Sequence, residues 1–273
     1  MQAQASPRPG AIEQNRLVRA LAALKARGRR ALIPYIMAGD PDPGATERLV
    51  ALLVDAGADA VELGVPFSDP IADGPVNQRA GLRAAAHGMG LRPAIRIVER
   101  LRRTTEAPIV FMTYYNVLLQ YGLRPFSADA SGAGLDGVIL ADLPPEEGGE
   151  LIAEARGAGL ATVFMLAPTS TAERIRTVAA ASTGFLYCVS RTGVTGARDE
   201  LPPGLPELVG RIRGETATPV CVGFGISRPG QAREVARIAD GVIVGSALVS
   251  MIEEQPEDLR RIGAFMRELR AAV

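Results

Sequence analysis

Apolar residues along this chain gather in short unbroken runs, and the stretches between them carry apolar positions at helical spacing. Ile12, Leu17, Ala20, Leu21 and Leu24 predict a helix over Ala11–Arg27. The first unbroken run, Ala31–Met37, predicts a strand. A turn at 39–43 follows, with Asp42 as a candidate cap for a helix over Gly44–Ala56. The alternation then repeats. Strands are expected at Ala60–Leu63, Pro108–Thr113, Gly137–Ala141, Leu160–Leu166, Phe185–Val189, Pro219–Val222 and Asp240–Val244. Helices are expected at Val76–Ala86 and Leu91–Arg103, from Tyr115 to about Ser131, and from the prolines after Asp142 to about Gly157. Further ones are expected at Ala172–Ala180 behind a cap in the Thr169–Glu173 stretch, at Leu205–Gly214, at Pro229–Ile238, and from Ser246 to the C-terminus. Strands without internal alternation read as parallel and buried on both faces. Eight strand–helix units in about 250 residues fit a closed (β/α)8 barrel, with the Ala11–Arg27 helix as an extra element in front. An open doubly wound sheet is the alternative, but its glycine fingerprint is missing from the first turn, GDPDPG.

Composition narrows the class. The chain has 273 residues, 47% of them apolar, and zero formal net charge. A sizeable core is available, and no basic cluster interleaves with aromatic residues as a nucleic-acid surface would need. The apolar runs are too short to span a bilayer. Residues 1–10 are polar and proline-bearing, and are expected to form a flexible tail ahead of one barrel domain over 11–273. Cys188 and Cys221 both lie in strand-like runs and read as buried free thiols of a cytoplasmic protein. The chain has one histidine, His87, and no His/Cys cluster with metal-ligand spacing. Its one lysine, Lys25, lies in the first helix, ahead of every strand, which argues against Schiff-base chemistry.

In a barrel of this kind the reactive groups sit at the C-terminal ends of the strands. Glu62, Asp73, Asn116, Asp142, Tyr187, Thr195 and Ser246 all fall there. Glu62 is unusual as an acid inside an apolar strand, because an unpaired buried charge is costly. Period two places it toward the barrel interior, since a carboxylate among packed helices could not be satisfied. Asp73, on the loop that follows, supplies a second carboxylate, and such pairs serve acid/base chemistry. Simpler readings remain at this stage. Asp69 or Asp73 caps a turn or the next helix, and Glu62 pairs with an arginine.

The two late loops carry glycines, GFGIS at 223–227 and Gly245-Ser246. Glycine lets backbone N–H groups approach an anion, and a helix starting after Gly245 adds its positive end. Loops after strands seven and eight are the usual phosphate cradle of this fold, and Gly193–Gly196 could close over the same group. A phosphorylated substrate handled by two carboxylates, without imine or metal, must carry its own electron sink if a carbon–carbon bond is to break. An electron-rich heteroaromatic ring would serve. Isomerisation of a sugar phosphate fits the same residues equally well.

The motifs LIPYIMAGDPDP, ELGVPFSDPIADGPVNQRA, ILADLPPEE, YCVSRTGVTG, GFGIS and VGSALV, in this order, resemble the tryptophan synthase alpha-chain family from about Ala11 onward. The second motif is the most specific. The resemblance implies a (β/α)8 barrel that cleaves indole-3-glycerol phosphate into indole and glyceraldehyde 3-phosphate. It implies Glu62 as the acid/base at the indole C3 and the hydroxyl, Asp73 as the partner of the ring N–H, and Tyr187 beside Glu62. Gly225, Gly245 and Ser246 would hold the phosphate with Gly196. Thr195 would close over the substrate and fix Asp73. Phe224, Met112 and Ile139 would shape the slot for the ring. Tyr35 stands where the family commonly has phenylalanine, and a hydroxyl pointing into that slot would need a partner. The resemblance further implies a pyridoxal-phosphate beta subunit in an αββα heterotetramer. Asp69, Asn116, Asp142 and Pro144 would face it, and the cofactor would belong to it rather than to this chain. The alternatives are another phosphate-binding barrel enzyme, such as a sugar-phosphate isomerase, and a catalytically silent regulatory subunit.

Overall fold

The computed structural model describes residues 12–189, 201–223 and 225–273, so the expected tail over residues 1–10 lies outside it. Nine strands occur among the described residues: β1 (Ala31–Met37), β2 (Val61–Gly64), β3 (Ile109–Thr113), β4 (Gly137–Leu140), β5 (Ala161–Val163), β6 (Met165–Leu166), β7 (Leu186–Val189), β8 (Val220–Gly223) and β9 (Gly241–Val244). All the pairings are parallel, in the order β5-β4-β3-β2-β1-β9-β8-β7-β6. The two ends of that order, β5 and β6, are halves of one extended segment interrupted at Phe164. The sheet therefore closes on itself through a single broken strand, and the nine pieces make the eight-stranded barrel that the sequence predicts. At the break the Phe164 N–H bonds the Ser182 hydroxyl at 3.3 Å, while the Phe164 carbonyl accepts from the Tyr187 N–H of the next strand at 3.1 Å.

Among the described residues, twelve helices surround the sheet: α1 (Arg16–Ala26), α2 (Ala45–Asp55), α3 (Pro75–Ala86), α4 (Leu91–Leu101), α5 (Tyr115–Tyr121), α6 (Leu123–Gly132), α7 (Gly149–Gly157), α8 (Ala172–Ala181), α9 (Leu205–Glu215), α10 (Pro229–Ile238), α11 (Ser246–Glu254) and α12 (Leu259–Ala272). Helix α1 starts later than the spacing predicts because Asn15 caps it, accepting from the N–H groups of Leu17 and Val18. The same Asn15 amide donates to the Asp136 and Gly159 carbonyls, which fixes α1 across the N-terminal end of the barrel. Leu17 is fully buried there, and a Cβ at Gly184 would meet it at 2.7 Å.

Asp42 does cap the start of α2, accepting from Gly44 and Ala45, and Thr171 caps α8. One expectation fails. The helix after β4 begins at Gly149, not at the prolines. Residues Pro144–Gly148 instead form turns, with Glu147 bonded to Pro144 and Gly148 to Pro145. A residue that precedes proline is pushed out of the helical region, so two successive prolines delay the start.

Register sets the geometry of the C-terminal mouth. Tyr35 lies opposite Glu62, Gly64 opposite Met112, and Tyr187 opposite Cys221. Tyr35, Glu62, Met112 and Tyr187 are thus fixed on rigid strands.

Candidate active site

The barrel interior opens at the C-terminal ends of the strands into a narrow cavity. Tyr35, Glu62, Asp73, Asn77, Met112, Tyr187, Gly225, Ile226, Ile243, Gly245 and Ser246 line it. Glu62 projects into it from the middle of β2, as period two requires. It is fully buried, and neither carboxylate oxygen has a hydrogen-bond partner among the described residues. The arginine pairing that would have made Glu62 structural is therefore absent among those residues. Burial pushes its pKa up to about 8, and the nearby charge of Asp73 adds to the rise.

Asp73 reaches the same cavity from the loop between β2 and α3. That loop is held by its own backbone: the Asp73 N–H bonds to Pro70, and the Gln78 side chain donates to the Asp73 carbonyl at 2.9 Å. Pro75 then opens α3, where its missing N–H costs nothing. The Asp73 side chain does not cap this helix. It accepts instead from the Tyr114 hydroxyl at 2.9 Å and, at 3.4 Å, from the Asn77 amide. Burial raises its pKa, and these two bonds oppose the rise. Tyr114, the first residue past β3, also accepts from the Ala72 N–H at 3.1 Å, so it clamps both backbone and side chain of the loop. Phe67 packs against its ring at 5.0 Å.

Two tyrosines flank the carboxylates. A Cβ at Gly64 would overlap the Tyr35 hydroxyl, and a Cβ at Gly223 would overlap that of Tyr187. Each ring thus lies across a glycine on the neighbouring strand, and any larger residue there would push it out. Tyr35 is buried, and its hydroxyl makes no hydrogen bond with a described residue. Burial holds both phenols well above their ordinary pKa, so they are neutral.

Gly225, Gly245 and Ser246 also line the cavity, and groups of this kind can hold an anion. Gly225 has φ +84°, a conformation open to glycine and strained for other residues. Gly245 precedes α11, whose first turn presents unpaired N–H groups together with the Ser246 hydroxyl.

The other expected residues divide. Met112 lines the cavity, whereas Ile139, its register partner in β4, is fully buried and is not part of the lining. Thr195, Gly196 and Phe224 lie outside the described residues. Asp69, Asn116 and Asp142 are exposed and Pro144 is half-buried, all on the connections after the adjacent strands β2, β3 and β4. None of these four enters the cavity. Asp142 accepts from the Tyr115 N–H at 2.8 Å and so caps α5 instead. Sequence reasoning passed over Tyr114, Asn77, Ile226 and Ile243. The position of Tyr114 directly after a strand was the available signal, and strand register was the signal for Ile243.

Comparison with known proteins supplies a family. The profile described as "Tryptophan synthase alpha chain" matches residues 21–272. The tryptophan synthase alpha chain of Geobacter sulfurreducens is 50% identical over 261 residues, covering 95% of this chain and 99% of its own length. A structure of Mycobacterium tuberculosis tryptophan synthase superimposes with a TM-score of 0.88 at 40% identity, covering 95% of this chain and 98% of the other. A structure of the a2b2 tryptophan synthase complex of Pyrococcus furiosus gives 0.83 at 42% identity, covering 88% and 98%.

Proposed function

The chain belongs to the tryptophan synthase alpha-chain family, lyases that cleave indole-3-glycerol phosphate in tryptophan biosynthesis, and we propose that Glu62 and Asp73 carry out the cleavage in the cavity described above. The single observation that supports this most is Glu62: a fully buried carboxyl group, unpartnered among the described residues, whose pKa is pushed to about 8. At neutral pH it is an acid, and it faces the cavity with no described residue donating to it.

The chemistry follows from that protonation state. Glu62 gives its proton to the indole C3, and the ring becomes a cation with the charge centred on its nitrogen. Asp73, whose ionised form the Tyr114 and Asn77 bonds favour against the effect of burial, stabilises that charge. The Glu62 carboxylate then takes the proton of the adjacent side-chain hydroxyl. The O–H electrons form the aldehyde C=O, the carbon–carbon bond breaks, and its electron pair returns to the ring. Glu62 ends protonated, as it began. Gly225, Gly245 and Ser246 hold the phosphate, and Met112, with Tyr35 and Tyr187, packs the ring. Ile139 stands beside Met112 on the neighbouring strand and shapes the slot with it. For Thr195, Gly196 and Phe224 the resemblance remains the support.

A pyridoxal-phosphate beta subunit is the proposed partner, in an αββα assembly, with the cofactor wholly on the partner. Two observations support this. Lys25 reaches the Ala217 carbonyl at the far end of the barrel, away from the cavity. Ile71 and Leu119, 70% and 49% exposed, lie on the same connections as Asp69 and Asn116 and add apolar surface to that face. No helix among the described residues is long and apolar enough to cross a membrane, and we place the enzyme in the cytoplasm.

The test is indole release from indole-3-glycerol phosphate by the purified chain, with and without the beta subunit. Slow release that rises strongly with the partner is expected. No release from folded protein in either condition would overturn the assignment. A second expectation concerns the clamp. Tyr114→Phe removes one hydrogen bond to a charged group and should lower kcat about tenfold. Because that bond holds the Asp73 pKa down, the acid limb of the kcat–pH profile should also move to higher pH. An unchanged profile would make Tyr114 a packing residue only.

A further inference from the structure

Asn77 carries an unused hydrogen-bonding group at the reacting end of the cavity. It stands in the first turn of α3, four residues after Asp73, and its side chain is part of the lining. Its amide nitrogen lies 3.4 Å from Asp73 Oδ1. An ionised carboxylate only accepts, so the nitrogen must be the atom facing Asp73 and the carboxamide oxygen must face away. That oxygen is buried and has no partner among the described residues. A buried carbonyl left without a donor destabilises the protein, and such exceptions ask for an explanation. The surroundings sharpen the question, because Met112, Ile226 and Ile243 make the nearby wall apolar.

The substrate resolves it. Its ring has one polar hydrogen, the N–H. Asp73 already has Tyr114 on Oδ2 and the Asn77 amide on Oδ1, so its capacity to accept is partly used. We propose that the Asn77 carboxamide oxygen accepts a hydrogen bond from the ring N–H, sharing recognition of that group with Asp73. This rests on the reading of the cavity as the indole-3-glycerol phosphate site. Asn77 is then a specificity-determining residue. It is satisfied by a ring with an N–H and left unpaired by an isosteric ring without one, and that difference sets the discrimination. The carbonyl dipole also has its negative end toward the nitrogen that becomes positive during cleavage. An apolar residue at this position could provide neither effect.

The test is a binding cycle with two uncleavable ligands: the phosphate ester of 3-(indol-3-yl)propanol, and its counterpart in which sulfur replaces the ring N–H. Both are titrated calorimetrically into the wild-type chain, Asn77→Leu and Asp73→Asn. The wild type should prefer the indole ligand by about tenfold or more, the value of one satisfied polar contact. Asn77→Leu should bind the sulfur ligand at least as well as the wild type does, with the preference for indole cut severalfold. Asn77→Ala should show the same reduced preference, which removes dependence on how leucine packs. An undiminished preference in both Asn77 variants would overturn the proposal and leave Asp73 as sole acceptor. Binding of neither ligand by the folded wild type would instead overturn the reading of the cavity, and this inference with it.

Discussion

Glu62→Gln is expected to lower the turnover of indole-3-glycerol phosphate by about three orders of magnitude or more, while leaving substrate binding measurable. The glutamine fills the same space at the same point of β2, but it can neither give a proton to the ring carbon nor take one from the hydroxyl. Positioned proton transfer is worth about 10²–10⁴ per step, and this one group serves two steps. The same substitution has an opposite effect on the fold. The Glu62 pKa rises from 4.5 in the unfolded chain to about 8 when buried. The folded state therefore holds its proton more tightly, and the wild type loses stability as pH rises through the window between those values, by about 1.4 kcal/mol per unit. Below pH 4.5 this penalty vanishes. The glutamine does not titrate, so the variant should match the wild type near pH 5 and exceed it by a few kcal/mol near pH 8. Denaturant melts at the two pH values test this. A variant that is dead and also less stable at both would mark Glu62 as a structural residue. In the wild type, activity should decline above pH 8 as the resting acid is lost.

That one residue is unfavourable for folding and is the proposed acid/base of the reaction explains why it could be read from the sequence. An acid in an apolar strand violates the pattern around it, and local rules are broken where function requires it. Period two was enough to turn it inward. The same logic reached Asp73 and the glycines after β8 and β9, because each occupies a strand end where the barrel puts chemistry. It did not reach Tyr114 or Asn77. The Tyr114 bond to Asp73 spans 41 residues, and the unpaired Asn77 oxygen becomes visible only once burial is known. Tyr35 was noticed as a departure, but its accommodation depends on Gly64 in the next strand, a pairing that only register reveals. Strand ends were legible to within a residue or so. The late start of α7, which a proline pair decides, and the break at Phe164 were not.

Asp73→Asn should keep the fold and reduce kcat by about 10²–10³, the usual loss when one charge-stabilising group is removed from a dry site, with a smaller change in KM. The reason lies in timing. In the ground state the ring N–H is neutral and needs only an acceptor, which the asparagine oxygen still offers. In the transition state the nitrogen turns positive, and the asparagine has no charge with which to answer that change. The asparagine can still accept from Tyr114, so the loop should stay clamped and the loss should appear in kcat. A second consequence separates this from mere disruption. The charge of Asp73 helps to raise the Glu62 pKa. With that charge gone, burial alone sets the value, and the basic limb of the residual activity should shift to lower pH. Near-normal turnover would remove Asp73 from the mechanism. A large loss of kcat with an unmoved basic limb would mean that the two carboxyl groups do not sense each other's charge, and that their closeness in the cavity has no electrostatic part in the reaction.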